Sequence, residues 1–121
     1  MDIEQVRDCC LSLSGTTESF PFGKFPAAKD ILVFKVEGKI YLFCDLAAES
    51  LRIEIKCGSE HADELRAAYL SVDKGFANKW ISVALSGDMG AKEIEYWIHH
   101  SYRLVIAGLP RKIRDMYGKP E

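Results

Sequence analysis

The sequence predicts an α+β fold with a mostly antiparallel sheet, and two patterns in different parts of the chain indicate it. Two β-rich runs, ILVFKV and KIYLFCD, flank the dipeptide Glu37-Gly38, as in a β-hairpin. Towards both ends of the chain, apolar residues recur at intervals of three and four, as on the buried side of a helix. We therefore expect one domain, residues 1–121, with its elements in the approximate order α-β-β-β-β-α-β-α.

The first third of the chain is predicted to form a helix, an edge segment and the first strand of the hairpin. Asp2 can cap the helix, which should end at Ser14-Gly15. The segment TTESFPFGKFPAAKD is either an edge strand or an ordered loop, because prolines and glycine interrupt it. Its aromatic residues are expected to close the core, with a protein-binding patch as the alternative if part of them is exposed. These residues are Phe20, Phe22 and Phe25.

The hairpin should be tight and central. Gly38 can take a positive φ at little cost, which suits the tip of a two-residue turn. Both faces of the hairpin are apolar, so it should be covered on both sides or carry a partner on one.

The remaining elements alternate between strand and helix patterns. LRIEIKC alternates apolar with charged residues, which predicts a strand with one buried and one solvated face. Ser59 is expected to cap the helix that follows it. FANKWISVAL predicts the next strand, and the last long helix should stop at Gly108 and Pro110. The basic tail RKIRDMYGK can add one more helical turn.

Composition and charge are those of an ordinary globular protein. Hydrophobic residues make up 48% and charged residues 28%, and the formal net charge is -2, which gives no argument for a polyanionic partner. No apolar run is long enough to cross a bilayer, and the N-terminus MDIEQVRDCC lacks the pattern of a signal peptide. We therefore expect a cytoplasmic monomer that does not contact membranes.

The cysteines are expected to be buried and reduced, because none forms a C-x-x-C pair and two of them are neighbours on a helix. They are Cys9, Cys10, Cys44 and Cys57. An alternative metal site would need Cys57 and His61 together with His99 or His100, a spacing that is common by chance. The sequence therefore predicts no metal and no cofactor.

Five segments of the chain follow one another in an order that is typical of one protein family. They are ESFPFGK, FKVEGKIYLF, LRIEIKC with HADELRAAY, the pair Asn78-Lys79 before Trp80, and SYRLVIAGLPRKIR. In this order they resemble the MmcQ/YjbR family over nearly the whole chain. The resemblance implies a two-layer sandwich with helices packed on one face of the sheet, similar to type III secretion chaperones. It also implies DNA binding of the "double wing" type, and it attaches no reaction or cofactor.

The sequence departs from the family pattern at one point. Members often carry extra residues between the Asn-Lys pair and the Trp, whereas Trp80 follows Lys79 directly here. Losing an odd number of residues would turn the strand over, while losing two would preserve its phase. The side towards which Lys79 points is therefore open at this stage.

Two groups of residues are candidates for contact with nucleic acid. Asn78, Lys79 and Trp80 would combine a phosphate-binding amine with a flat aromatic face. The alternative is a turn at Asn78 and a Trp80 that closes the edge of the core. The second group, near the C-terminus, is Arg103, Arg111, Lys112 and Arg114.

Charge is unevenly distributed along the chain. From His99 onward there are five Lys or Arg and two Asp or Glu, with Lys119 and Glu121 included, which gives +3 and leaves -5 for the rest. A dipolar chain of this kind can offer a basic face to a polyanion, although cations are also favourable at a helix C-terminus without any ligand.

These observations predict a non-enzymatic protein that binds the phosphate backbone of DNA weakly and without sequence specificity. Neither a nucleophile elbow nor a phosphate-binding loop is present, and Glu60, Asp63 and Glu64 are typical of a solvated helix face. The alternative is a protein-interaction module that binds no nucleic acid. Basic residues gathered on one face would favour the first function, and an exposed apolar patch or a dimer interface the second.

Overall fold

The computed structural model describes residues 1–118, which form a six-stranded antiparallel sheet with helices packed on one face, and thus confirms the predicted α+β class. Lys119 and Glu121, counted above in the C-terminal charge, lie outside the described residues. The helices are α1 (Ile3–Leu11), α2 (Ser59–Ala68), α3 (Ala91–Ala107) and the single turn α4 (Arg111–Arg114), followed by a 3₁₀ turn (Asp115–Tyr117). The strands are β1 (Thr16–Ser19), β2 (Ile31–Val36), β3 (Lys39–Asp45), β4 (Arg52–Lys56), β5 (Val72–Lys74) and β6 (Trp80–Ala84), in the spatial order β1-β2-β3-β4-β6-β5.

Cross-strand pairing divides the sheet into two faces, because residues directly opposite each other point to the same side. On the helix face, Phe34, Leu42, Ile55 and Ile81 form one row across β2, β3, β4 and β6, and all four are fully buried under the helices. On the second face the neighbouring row is Val33, Phe43, Glu54 and Ser82. The core therefore lies between the helix face and the helices, and the second face carries a mixture of aromatic and polar side chains.

The helix termini are set by local hydrogen bonds. Asp2 Oδ1 accepts a hydrogen bond from Gln5 N at 2.8 Å, and Asp2 N donates one to Gln5 Oε1 at 2.9 Å. These two bonds form a capping box, which confirms the predicted cap at Asp2. The helix ends at Leu11, earlier than Ser14-Gly15. The predicted cap at Ser59 is wrong. Gly58 is the N-cap there, and its φ of 88° reverses the chain after β4 without a side-chain cap.

The predicted hairpin is confirmed, with β2 and β3 paired on either side of Glu37-Gly38. Glu37 has a φ of 50° and Gly38 a φ of 73°, so both turn residues are left-handed, as the right-handed twist of the strands requires. On the second face Val33 is fully buried and its neighbour Phe43 is half-buried, so this face of the hairpin is covered only in part. The structure adds one strand that the sequence did not predict, β5, whose three residues pair with β6 at the edge of the sheet.

The aromatic segment before the hairpin differs from the prediction of core closure. Phe20 is 50% exposed, Phe22 36% and Phe25 62%, because residues 20–30 form turns outside the sheet. This segment, Phe20 to Phe25, is called the aromatic loop below. It corresponds to the alternative considered above, an exposed apolar patch.

All four cysteines are unbridged and buried, as predicted. Burial raises the pKa of Cys9, Cys44 and Cys57 to about 11 and that of Cys10 to about 12. Within residues 1–118, no helix is both long enough and apolar enough to span a membrane.

Ser101 links the long helix α3 to the centre of the sheet. Tyr41 is an extra residue in β3, because Phe34 pairs with Leu42 whereas Lys35 pairs with Ile40. The fully buried Ser101 hydroxyl donates to Tyr41 O at 2.6 Å and accepts from Lys56 N at 2.9 Å. One side chain thus satisfies a backbone carbonyl of β3 and a backbone amide of β4 beyond the last of their paired residues.

Candidate nucleic-acid interface

One end of the sheet collects lysines from four strand or turn positions. Antiparallel pairing brings the start of β3 and the ends of β4 and β5 to the same side as the start of β6. The lysines at these positions are Lys39, Lys56, Lys74 and Lys79. Within the described part of the chain none of their side chains forms an ion pair or hydrogen bond, so their ammonium groups are available to a ligand.

The short helix α4 lies at this same end. Gly108 and Leu109, just before α4, line a cavity of about 320 Å³ together with Lys39, Lys56 and Trp80. After α4, Tyr117 Oη donates to Glu37 Oε1 at the hairpin tip, at 2.6 Å. The chain is therefore held near the lysines on both sides of α4. The four lysines and the α4 cations Arg111, Lys112 and Arg114 are together called the basic end.

The turn before β6 brings a lysine into a strained conformation. Lys79 has a φ of 73°, which costs a non-glycine residue on the order of 1 kcal/mol. Its carbonyl accepts from Cys57 N at 2.7 Å and Gly58 N at 3.0 Å, and these two bonds hold the turn against the start of α2. The side chain is exposed. Strain of this kind is often found at functional positions.

Asn78, Lys79 and Trp80 also line a cavity of about 210 Å³ with Lys74 and Arg66. Trp80 borders this cavity as well as the larger one that reaches Gly108 and Leu109, so it lies between the two predicted groups of site residues. The Asn78-Lys79 pair forms the turn and β6 begins at Trp80. This agrees with the alternative interpretation, which predicted a turn at Asn78. The turn also leaves Lys79 at the surface.

An aromatic cluster adjoins the basic end on the second face of the sheet. The ring centroid of Phe76 lies 5.0 Å from that of Trp80 and 5.3 Å from that of Phe43. Phe76 is 64% exposed, so one aromatic face is open to solvent. The Glu54 carboxylate accepts a hydrogen bond from Phe76 N at 3.4 Å, and burial raises the pKa of this carboxyl group.

Acidic residues concentrate at the opposite end of the sheet, in the loops and strand ends there. They include Asp30, Asp45, Glu49 and Asp88. Arg52, at the start of β4, also lies at this end, and it forms an ion pair with Asp73 at 3.0 Å. Charge therefore differs between the two ends of the strands, whereas the asymmetry predicted from the sequence lay between the segment from His99 onward and the rest of the chain.

The structure brings most of the predicted site residues together. Asn78, Lys79 and Trp80 share one cavity, and the α4 cations lie near the second. Arg111 faces Asp115 at 4.0 Å, Arg114 donates weakly to Ala107 O at 3.5 Å, and Lys112 is exposed. Arg103 is half-buried on α3 and lines neither of the two cavities.

Sequence reasoning missed five residues of this region. Three are the lysines at strand ends, and two are aromatic residues of the second face. They are Lys39, Lys56, Lys74, Phe43 and Phe76. A usable signal existed for Lys39, because it follows the predicted turn and must lie at the hairpin tip.

The junction of α2 and α3, beside the Lys79 turn, contains a histidine that should make stability depend on pH. His100 Nε2 lies 3.4 Å from Cys57 O, and its ring packs against His61 at 5.4 Å. Burial lowers the pKa of His100, and His61 and Arg103 lower it further. The unfolded chain therefore binds a proton more readily than the folded one, and stability should fall as the pH drops below about 6.5.

We expect urea unfolding to show that wild-type protein loses more stability between pH 7.5 and 5.5 than the variant His100→Gln. The glutamine keeps a polar group near Cys57 O but cannot become charged. An equal loss of stability in both proteins would show that His100 does not contribute.

Comparison with known proteins supports the fold. The YjbR family model matches residues 11–104. A Deinococcus radiodurans protein with a DUF419 domain is 31% identical in sequence, and its crystal structure superposes on this chain with a TM-score of 0.85. The match covers 98% of this chain and 88% of the Deinococcus chain. A Pseudomonas syringae protein is 28% identical over 86% of this chain. Its crystal structure gives a TM-score of 0.70 with 98% of that chain covered, and its solution structure 0.67 with 92% covered. No curated protein matches the chain.

Proposed function

The chain belongs to the YjbR family, and from this premise we propose that it is a non-enzymatic protein that binds the phosphate backbone of nucleic acid weakly and without sequence specificity. The basic end carries the proposal. It gathers lysines from separate strands next to the cations of α4, and these lysines form no ion pair with any residue from 1 to 118. Phosphate contacts of this kind supply most of the affinity in non-specific binding.

The turn at Lys79 supports the choice of this surface. Three residues that line the cavity of about 210 Å³ beside this turn offer different contacts to a nucleotide. Lys79 offers an ammonium group, Asn78 an amide and Trp80 an aromatic edge. The exposed face of Phe76 lies next to Trp80 and could stack on a base of a single strand. A single strand of nucleic acid that lies across the basic end would therefore contact both positive charge and aromatic surface.

Recognition of base sequence is not part of the proposal, because α2 and α4 do not suit the major groove. The exposed side of α2 carries Glu60, Asp63 and Glu64, and α4 is a single turn. Base-edge recognition usually needs a longer helix that presents Arg, Asn or Gln to the groove. The acidic end and the net charge of -2 also keep the affinity low.

Salt titration of binding tests the proposal. We expect fluorescence anisotropy to show association with labelled duplex and single-stranded DNA at low salt, with similar affinities for unrelated sequences. For the duplex, log K should fall with log salt by about 0.9 per neutralised phosphate, and for single strands by about 0.7. No measurable association with either form at low salt would refute nucleic-acid binding.

A second candidate function, a protein-interaction module, is favoured by the exposed aromatic loop. Phe20 also lines a cavity of about 380 Å³ with Ile3, Leu32 and Leu46, so apolar surface extends from the loop towards α1. Apolar patches of this kind commonly mark protein-binding sites. A negative result in the salt titration would make this the better proposal.

A further inference from the structure

Three potential metal ligands from two helices meet at the surface where α1 packs against α3. Cys9 comes from α1, and Glu95 and His99 lie one helical turn apart on α3. One donor atom from each, a thiol sulfur, a carboxylate oxygen and an imidazole nitrogen, lie within 4.8 Å of one another. Among residues 1–118, no other group of three His, Cys, Asp or Glu side chains comes as close together. We propose that Cys9, Glu95 and His99 bind a transition-metal dication of the Zn²⁺ class.

The ligand chemistry selects the class of metal. Zn²⁺ takes sulfur at about 2.3 Å, imidazole nitrogen at about 2.0 Å and carboxylate oxygen at about 2.0 to 2.2 Å. Donor atoms within 4.8 Å need only small side-chain adjustments to reach these distances around one ion. Mg²⁺ and Ca²⁺ prefer oxygen ligands and would make poor use of the thiolate and the imidazole.

The surroundings of the three ligands suit an ion that enters from solvent. Cys9 is 9% exposed, whereas Glu95 is exposed and His99 half-buried, so the ligands extend from the edge of the core outwards. Glu95 and His99 also line an open cavity of about 380 Å³ with Lys92 and Tyr96. Three protein ligands would leave a fourth tetrahedral position for water.

The site is separate from the proposed nucleic-acid interface. The basic end depends on strand ends and α4, whereas this site joins the last turn of α1 to the first half of α3, up to its midpoint at His99. Metal would connect two helices that otherwise meet through side-chain packing, and binding to the folded state alone would stabilise it. The proposal therefore stands or falls independently of nucleic-acid binding.

Titration of the reduced, untagged protein with Co²⁺ tests the site, because tetrahedral Co²⁺ with a thiolate ligand gives visible d–d bands and a sulfur-to-cobalt charge-transfer band. We expect both bands in the wild type, and their loss when Zn²⁺ is added as a competitor. Cys9→Ala should remove the charge-transfer band. Glu95→Gln and His99→Gln should each weaken Zn²⁺ binding at least about tenfold in calorimetry, a loss no smaller than that found for outer-shell partners of metal ligands.

Matched controls separate this site from the other thiols and histidines. Cys57→Ala and His61→Gln remove the alternative pair of ligands that the sequence offers and should leave the Co²⁺ spectrum and Zn²⁺ affinity unchanged. Because Cys9 is buried, its variant is used only where circular dichroism shows a folded protein, and the surface variants at Glu95 and His99 keep the test decisive. No cobalt spectrum in the wild type, or an unchanged spectrum in the Glu95 and His99 variants, would overturn the proposal.

Discussion

Replacing Arg111, Lys112 and Arg114 together by alanine is expected to weaken binding to duplex DNA and to flatten its salt dependence by two to three phosphate contacts. Each contact contributes roughly tenfold in affinity at about 50 mM salt, so the loss there should be on the order of 10² to 10³. Folding should be unaffected, because Arg111 and Lys112 are exposed and α4 follows the end of α3 at Gly108. Anisotropy titrations at several salt concentrations measure both quantities.

The matched control removes the same charge from the other end of the molecule. Lys24 and Lys29 lie in the segment before β2, and Lys92 is in the first turn of α3, away from the basic end. Their triple alanine variant has the same net charge as the first and should retain nearly the wild-type salt slope. Equal losses in the two variants would show that net charge alone governs binding, and no loss in either would remove α4 from the interface.

Ser101→Ala is expected to destabilise the fold by at least about 2 kcal/mol. The substitution leaves Tyr41 O and Lys56 N without their partner in a fully buried position, and each unsatisfied group costs about 1 to 3 kcal/mol. Neither group can easily pair with the other strand, because the extra residue Tyr41 interrupts the register of β3. Urea unfolding with linear extrapolation measures the loss as a lower midpoint at an unchanged slope.

An exposed serine provides the comparison. Ser86 lies in the turn after β6, and Ser86→Ala makes the same chemical change where water can replace the hydroxyl. We expect its effect to stay within about 0.5 kcal/mol. If Ser101→Ala were equally mild, the two backbone groups would have to find other partners, and the role assigned to Ser101 would be wrong.

Much of the fold could be predicted from short stretches of sequence, because the relevant physics is local. The turn Glu37-Gly38 specifies its hairpin through backbone conformations that only a few residues adopt readily. The spacing of Ile94 and Ile98 indicates the buried side of α3, and alternation in LRIEIKC indicates the two faces of β4. The order of such segments was also enough to identify the family, which the YjbR match confirms.

Other elements could not be predicted because they depend on a distant partner. The strand β5 has three residues, Val72 to Lys74, and no alternation of its own, so only pairing with β6 makes it a strand. The aromatic loop is apolar in composition, yet its position outside the sheet exposes it. Composition describes how favourable burial would be, whereas the packing of the remaining chain determines whether space is available.

The sequence by itself determined the α+β class, the hairpin, the long helix and the existence of a basic C-terminal segment. Only the tertiary structure decided which side chains act together. Lys39, Lys56 and Lys79 come from separate segments and meet because antiparallel strands alternate in direction, which collects their ends at one edge. Cys9 reaches Glu95 by the packing of α1 on α3. Periodicity and turn chemistry act over a few residues, but a site is assembled by pairing and packing between residues far apart in the chain.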